Sequence, residues 1–339
     1  MMRTAIVVAV LFLVGYPPAH HRVDAELIAK AAPIALQDPL RIALIGFSRA
    51  KATGDSIALD SSFAEAFGRD SRVVLIDHSM MQPALSGIGY EGSINMSKEE
   101  ARRLAAAIGC DFFIVGKAEA LTRSEVKNES HEEAFAGVMI VDGRTGSLAV
   151  FFFVSEKAAT REGALRAVAR ALGERAPGYI DSMIQIRTPG PMPALKDSGN
   201  SGDVIEDMPE EDSPRAAGFK PPQFLSRVKP GYTSEAEQAD ITATVEVMAV
   251  FRSNGEVGGV EITRWAGFGL DESAVAAVRQ LKYAPATRDG NPVNIRAMIR
   301  YNFRRVNDVS QPQEQLVPKP PDNPERDLRQ LFKPTYRRP

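Results

Sequence analysis

Gly267-Phe268-Gly269-Leu270-Asp271-Glu272-Ser273-Ala274-Val275-Ala276-Ala277-Val278, followed by Tyr283-Ala284-Pro285-Ala286 and Gly290-Asn291-Pro292-Val293, decides the fold of the C-terminal part of this 339-residue chain. Leu270, Ala274, Ala277, Val278 and Leu281 recur at helical spacing, so one stripe of a helix faces a core. Asp271 is the expected N-cap, because its carboxylate can accept the free amide hydrogens of the first turn. Pro285 ends the helical region and Asp289-Gly290 is a turn. Upstream, Ile241, Ala243, Val245, Val247, Ala249 and Phe251 alternate with Thr242, Thr244, Glu246 and Met248, the period of a half-buried strand. Ser253-Asn254-Gly255 supplies a turn, and Val257 to Trp265 reads as the returning strand. Downstream, Val293, Ile295, Ala297, Ile299, Tyr301 and Phe303 alternate with Asn294, Arg296, Met298, Arg300, Asn302 and Arg304, the cleanest strand pattern in the chain. The predicted unit is a small three-stranded antiparallel sheet with a helix on one face.

This order and these motifs resemble the C-terminal domain of TonB over about 221–304, within a predicted domain at 220–304. Two positions depart from the family's common pattern: Tyr232-Thr233 stands where Tyr-Pro is usual, and Ala243 where Gly is usual. The resemblance implies that a short segment of an outer-membrane receptor adds itself to the sheet as an extra strand, which needs an exposed edge of unpaired backbone groups. The candidate edge is the last strand, with Val293, Ile295, Arg296, Ala297, Met298, Ile299, Arg300 and Tyr301 as partner-contact residues. Its polar face carries Arg296, Arg300 and Arg304, either to steer an acidic partner segment or to discourage edge aggregation.

The chain begins with the basic Met1-Met2-Arg3-Thr4, an apolar run from Ala5 to Tyr16, Pro17-Pro18, and Val23-Asp24-Ala25 at the positions of a cleavage site. This is the layout of a signal peptide over 1–25, and it implies a periplasmic protein. As a helix the apolar run reaches roughly 18 Å against a bilayer core of about 30 Å, so a retained inner-membrane anchor is the alternative and a short one. If anchored, the resemblance implies an ExbB–ExbD-type motor as a further partner. The net charge of −2 gives no general attraction to nucleic acid or anionic lipid. A single cysteine, Cys110, excludes an internal disulfide and reads as a small buried hydrophobe.

A second domain is expected over 39–186. Arg41–Phe47, Arg72–Asp77 and Phe112–Gly116 read as buried strands, Ile57–Phe67 as a helix, and Ser97-Lys98-Glu99-Glu100 as a capping box opening a helix through Ile108. Gly137–Val141 and Leu148–Val154 form a hairpin, and a helix from about Ala159 to Leu172 is interrupted by Pro177-Gly178 before a last turn to Ile186. The alternation predicts a mixed-sheet α/β domain. Ala105-Ala106-Ala107-Ile108-Gly109-Cys110-Asp111-Phe112-Phe113-Ile114-Val115-Gly116 and Val141-Asp142-Gly143-Arg144-Thr145-Gly146 resemble the exported domains of CsgG-type proteins and of the TolB N-terminus. Gly87-Ile88-Gly89-Tyr90-Glu91-Gly92 fits a dinucleotide pattern, but it lies too far from the strand before and the helix after, and reads as an ordinary glycine loop. There is no Walker loop, no Gly-x-Ser-x-Gly and no His-Glu-x-x-His, and His131-Glu132-Glu133 is a poor metal set. No enzyme activity, cofactor, metal, nucleic acid or small-molecule substrate is expected.

Between the domains, 187–219 is rich in Pro and carries Glu206, Asp207, Glu210, Glu211 and Asp212 without a basic residue between Asp203 and Asp212. Such a segment is expected to be a disordered, self-repelling tether that lets the C-terminal domain search for a partner, or shields its arginines. The tail at 305–339 is Pro-rich and expected to be disordered as well. The predicted class is α+β, with two function readings: a TonB-like protein of energy-coupled transport, or a soluble periplasmic adapter or envelope-assembly protein that transmits no force.

Overall fold

The computed structural model describes residues 9–10, 38–47, 54–124, 130–188, 204–210, 213–226 and 228–305. The leader expected at 1–25 lies outside them except for Ala9–Val10, as do residues 189–203 and the tail beyond Arg305. Among the described residues no helix is long and apolar enough to cross a membrane.

The N-terminal sheet has the order β1-β7-β6-β5-β2-β3. These strands are β1 (Ala9–Val10), β2 (Leu40–Phe47), β3 (Val73–Leu75), β5 (Phe112–Ser124), β6 (Ser130–Asp142) and β7 (Leu148–Ala158). β2 pairs parallel with β3 and β5, whereas β5, β6 and β7 form an antiparallel meander. The expected mixed sheet is therefore present, with the central strands longer than the apolar runs that announced them. Ala118, Ala120 and Ala134, each beside a charged residue, and Ala136 extend the apolar pattern but are too small to stand out in sequence.

Helices α1 (Gly54–Gly68) and α4 (Arg161–Arg187) cover one face. There Leu59, Phe63 and Phe67 meet Ile42, Ile114, Val138 and Ile140. Helix α2 (His78–Gly87) and helix α3 (Lys98–Ile108), entered through the two-residue strand β4 (Met96–Ser97), sit on the other face with Met81, Leu85, Leu104 and Ala105. The capping box is formed on both sides: Ser97 Oγ accepts from the Glu100 amide, and Glu100 accepts from the Ser97 amide. α2 was not foreseen, since Pro83 lies inside it and masks its period. The break expected at Pro177-Gly178 does not occur: α4 runs unbroken for 27 residues. A buried stripe of Ala164, Val168, Leu172, Ala176, Ile180 and Met183 holds it across the proline.

The C-terminal sheet has β11 (Ala243–Phe251), β12 (Val257–Trp265) and β15 (Asn291–Phe303) as its antiparallel centre, with α6 (Leu270–Arg279) on one face. Val245, Val247, Ala249 and Phe251 point toward Leu270, Ala274 and Val278, as the two periods require. The expected three strands are extended by β14 (Ala286–Arg288), β9 (Phe219–Lys220), β8 (Ile205–Asp207) and, from the other domain, β4. β10 (Gln223–Ser226) and β13 (Lys282–Ala284) form a separate antiparallel pair.

The two sheets share a core. Phe113, Phe135, Met139, Val141 and Phe151 of the N-terminal sheet lie in one buried cluster with Trp265, Phe268, Leu270 and Val245. The described residues up to Arg305 form one compact unit. The C-terminal domain expected at 220–304 thus packs here on the N-terminal sheet. The physical reason lies in the strands themselves: Phe112-Phe113-Ile114-Val115 is apolar on both faces, and α1 and α4 cover only one.

The seam between the sheets is built by the motif that opens the chain's most informative stretch. Gly267, Phe268 and Gly269 all take left-handed backbone, with φ of 70°, 54° and 72°. Phe268 is a rare residue there. Its ring centroid lies 5.0 Å from that of Phe151 and 6.1 Å from that of Phe153. Gly137 makes room for it, since a Cβ there would stand 2.5 Å from Phe268 Cε1. The Asp271 carboxylate accepts the amides of Ala266 and Gly267 at 2.9 and 2.8 Å. Asp271 is thus no helix cap: Gly269 occupies that position, and Asp271 ties the loop instead. Thr233 caps the short helix α5 (Ser234–Gln238), and its hydroxyl donates to the Phe268 carbonyl. The departure from Tyr-Pro therefore provides a hydrogen bond that proline has no group to make. Asn95 adds a second lock, accepting from the Thr244 amide and donating to the carbonyls of Thr244 and Trp265 at 2.7–3.0 Å.

Candidate partner-binding edge

β15 pairs with β11 continuously from Ile295↔Phe251 to Phe303↔Ala243. Its first residues turn back on β14, with Val293 opposite Ala286. At Asn294, Ile295 and Arg296 it is also paired with β8, in parallel, through Ile205, Glu206 and Asp207. Ile295 and Arg296 have partners in both strands, so β8 lies on the side of β15 opposite β11. Among the described residues, Ala297–Phe303 are paired on the β11 side only.

The direction of the backbone groups follows from one bond. The Met208 amide donates to the Arg296 carbonyl at 3.2 Å. Because peptide groups alternate along a strand, the amides of Arg296, Met298, Arg300 and Asn302 face the outer edge, and those of Ile295, Ala297, Ile299, Tyr301 and Phe303 face β11. The edge beyond β8 therefore offers three outward donors, at Met298, Arg300 and Asn302. Met298 is 51% exposed.

The eight sequence-predicted residues thus divide. Val293 is occupied by β14, Ile295 and Arg296 by β8, and Ala297, Met298, Ile299, Arg300 and Tyr301 lie on the open part. The arginines also divide. Arg300 pairs across the sheet with Glu246 at 2.7 Å, and Glu246 also neighbours Arg264 at 3.8 Å. Arg296 faces Asp207 at 3.4 Å. Arg288, which sequence reasoning did not select, makes the closest contact with the acidic segment, bonding Glu206 at 2.6 and 2.9 Å. Asn294 is buried; its Oδ1 accepts from the Ser253 amide at 2.8 Å and its Nδ2 donates to the Val204 carbonyl at 3.4 Å. A three-residue strand with exposed apolar neighbours has no periodic signature, so nothing in the sequence marked β8.

No curated protein matches the chain. Solved structures that align with part of it include the following three. The hypothetical protein CT253 of Chlamydia trachomatis is 15% identical with a TM-score of 0.32, covering 42% of this chain and 98% of that one. Lipoprotein GNA1162 of Neisseria meningitidis is 13% identical with a TM-score of 0.31, covering 41% and 99%. The LpoB C-terminal domain of Salmonella enterica is 8% identical with a TM-score of 0.26, covering 38% and 87%. Residues 228–304, which hold the strand, strand, helix, strand unit described above, match the family model of the Gram-negative bacterial TonB protein C-terminal domain.

Proposed function

We propose that this chain is a TonB-like cell-envelope protein that binds an extended segment of an outer-membrane receptor or other envelope protein by strand addition to β15. The observation that carries this reading is the edge Ala297–Phe303, with outward amides at Met298, Arg300 and Asn302 and no strand beyond them among the described residues. Its role is one of gripping a partner, in energy-coupled transport across the envelope, and not of turning over a substrate. A second reading is favoured by the shared core. A C-terminal domain packed on its neighbour through Trp265 and Phe268 suits an adapter that holds two envelope components at fixed spacing without transmitting force. An ExbB–ExbD-type motor partner belongs to the first reading only.

The test is site-specific photocrosslinking in the producing cell. A photoreactive side chain at Met298 should capture one defined envelope protein, and the same probe at the exposed Met80 of helix α2 should not. Equal capture at both positions, or none, removes the strand-addition reading. Loss of receptor-dependent uptake in a deletion strain supports the transport role; intact uptake with an envelope-assembly defect supports the adapter.

A further inference from the structure

β8 is held in an unusual way. Its one apolar residue and the apolar residues flanking it gain little: Ile205 is 37%, Val204 77% and Met208 43% exposed. What seats it is backbone pairing with Asn294–Arg296, the Glu206–Arg288 pair and the Asp207–Arg296 contact. Short strands with exposed hydrogen bonds and few apolar contacts open at low free energy. Yet the seat is selective: the two carboxylates project to opposite faces of the strand, and each meets an arginine on its own side.

Building on the strand-addition reading, we propose that β8 is a resident competitor. It closes the first half of the partner edge and is displaced by a longer acidic segment of the partner, which adds parallel to β15 along Asn294–Phe303 and places carboxylates on Arg288 and Arg296. The occupant already present supplies the chemistry of the one that replaces it: the same direction, the same two charge contacts, and further pairing along Ala297–Phe303 that β8 is too short to make. The tethered competitor also sets a threshold. A partner that pairs only with the free half forgoes both arginine contacts, and one without acidic residues cannot match β8 on the other half.

The experiment uses the full chain and, as probe, a fluorescent peptide of its own residues 201–212. Glu206→Lys with Asp207→Lys puts like charges against Arg288 and Arg296 at a surface strand, leaving the core intact. The double variant should bind the peptide about tenfold or more tightly than the native chain, the factor expected if β8 is seated about nine-tenths of the time. Arg288→Glu added to the double variant should abolish that gain. Amide exchange read at single residues gives an independent measure: the Arg296 amide should exchange faster in the double variant, while that of Ile295, which faces β11, should not. Equal peptide binding by the native chain and the double variant, or an unchanged Arg296 amide, overturns the competitor. If both chains bind equally, strand addition survives and only the competitor falls; if neither binds, both fall.

Discussion

Trp265 Nε1 donates to the carbonyl oxygen of Gly146 at 3.0 Å, joining the end of β12 to the turn between β6 and β7. The bond is buried, and the indole is 1% exposed. It fastens the last turn of one hairpin to a strand that the sequence assigns to another domain. Trp265→Phe keeps a ring in the seam but leaves that carbonyl without its donor, at a cost of about 2 kcal/mol. Urea unfolding should show this as a lower midpoint in a single transition. Two separate transitions in the native chain would contradict the shared core.

Gly137→Ala tests the same seam from the opposite side. The added methyl group meets the Phe268 ring, which Phe151, Phe153 and the Thr233 bond hold in place. Overpacking of this kind costs about 1–3 kcal/mol. Limited proteolysis should then cut first in the loop around Gly267. Gly255→Ala, whose Cβ would meet nothing but whose φ is 86°, serves as a control that strains only a surface turn.

Asp271 gives the seam a pH dependence. Burial pushes its carboxyl up to about 7, against the pull of the Ala266 and Gly267 amides toward the charged form. Its folded pKa lies above that of the unfolded chain, so the folded state holds the proton more tightly between the two values. This group's contribution is fully present below about pH 4 and is lost as pH rises toward 7, a change on the order of 3 kcal/mol. Carboxylates such as Asp70, held low by Arg72, work in the opposite sense. The readable quantity is therefore a difference: between pH 4 and 7 the native chain should lose stability relative to Asp271→Asn. Parallel stability curves for the two proteins would remove the assignment.

The orientation of peptide groups along β15 predicts a contrast between neighbours. Met298→Pro removes an outward donor and should lower stability by less than about 1 kcal/mol, whereas Ile299→Pro breaks the β11 ladder and should cost about 3 kcal/mol or more. Thermal melts of the two variants decide it, and equal losses would mean that the alternation is reversed.

The strands and helices whose side chains repeat at a clear period were legible in the sequence: β11, β12, β15, α6, and α3 with its capping box. What escaped was everything decided at a distance. Asp271 looks like a cap because it stands at a helix start, and only the left-handed run at Gly267–Gly269 turns its carboxylate back onto the loop. Pro177 looks like a helix end because the sheet that buries the helix's apolar stripe, and so overrides the proline, lies elsewhere in the chain. The candidate edge was legible as a strand, but not its occupancy, since the pairing of Glu206 with Arg288 spans 82 residues and leaves no local pattern.

The left-handed turn at Phe268 bears on how pieces of this chain can be used. A fragment cut near residue 228 would carry the family-matching unit entire, yet expose to water the Trp265 and Phe268 surface that Phe135, Met139 and Phe151 cover in the whole protein. Such a fragment would be sticky where the parent is silent. Pull-downs made with it would then report that bare patch as well as the β15 edge, so partners are best sought with the whole chain.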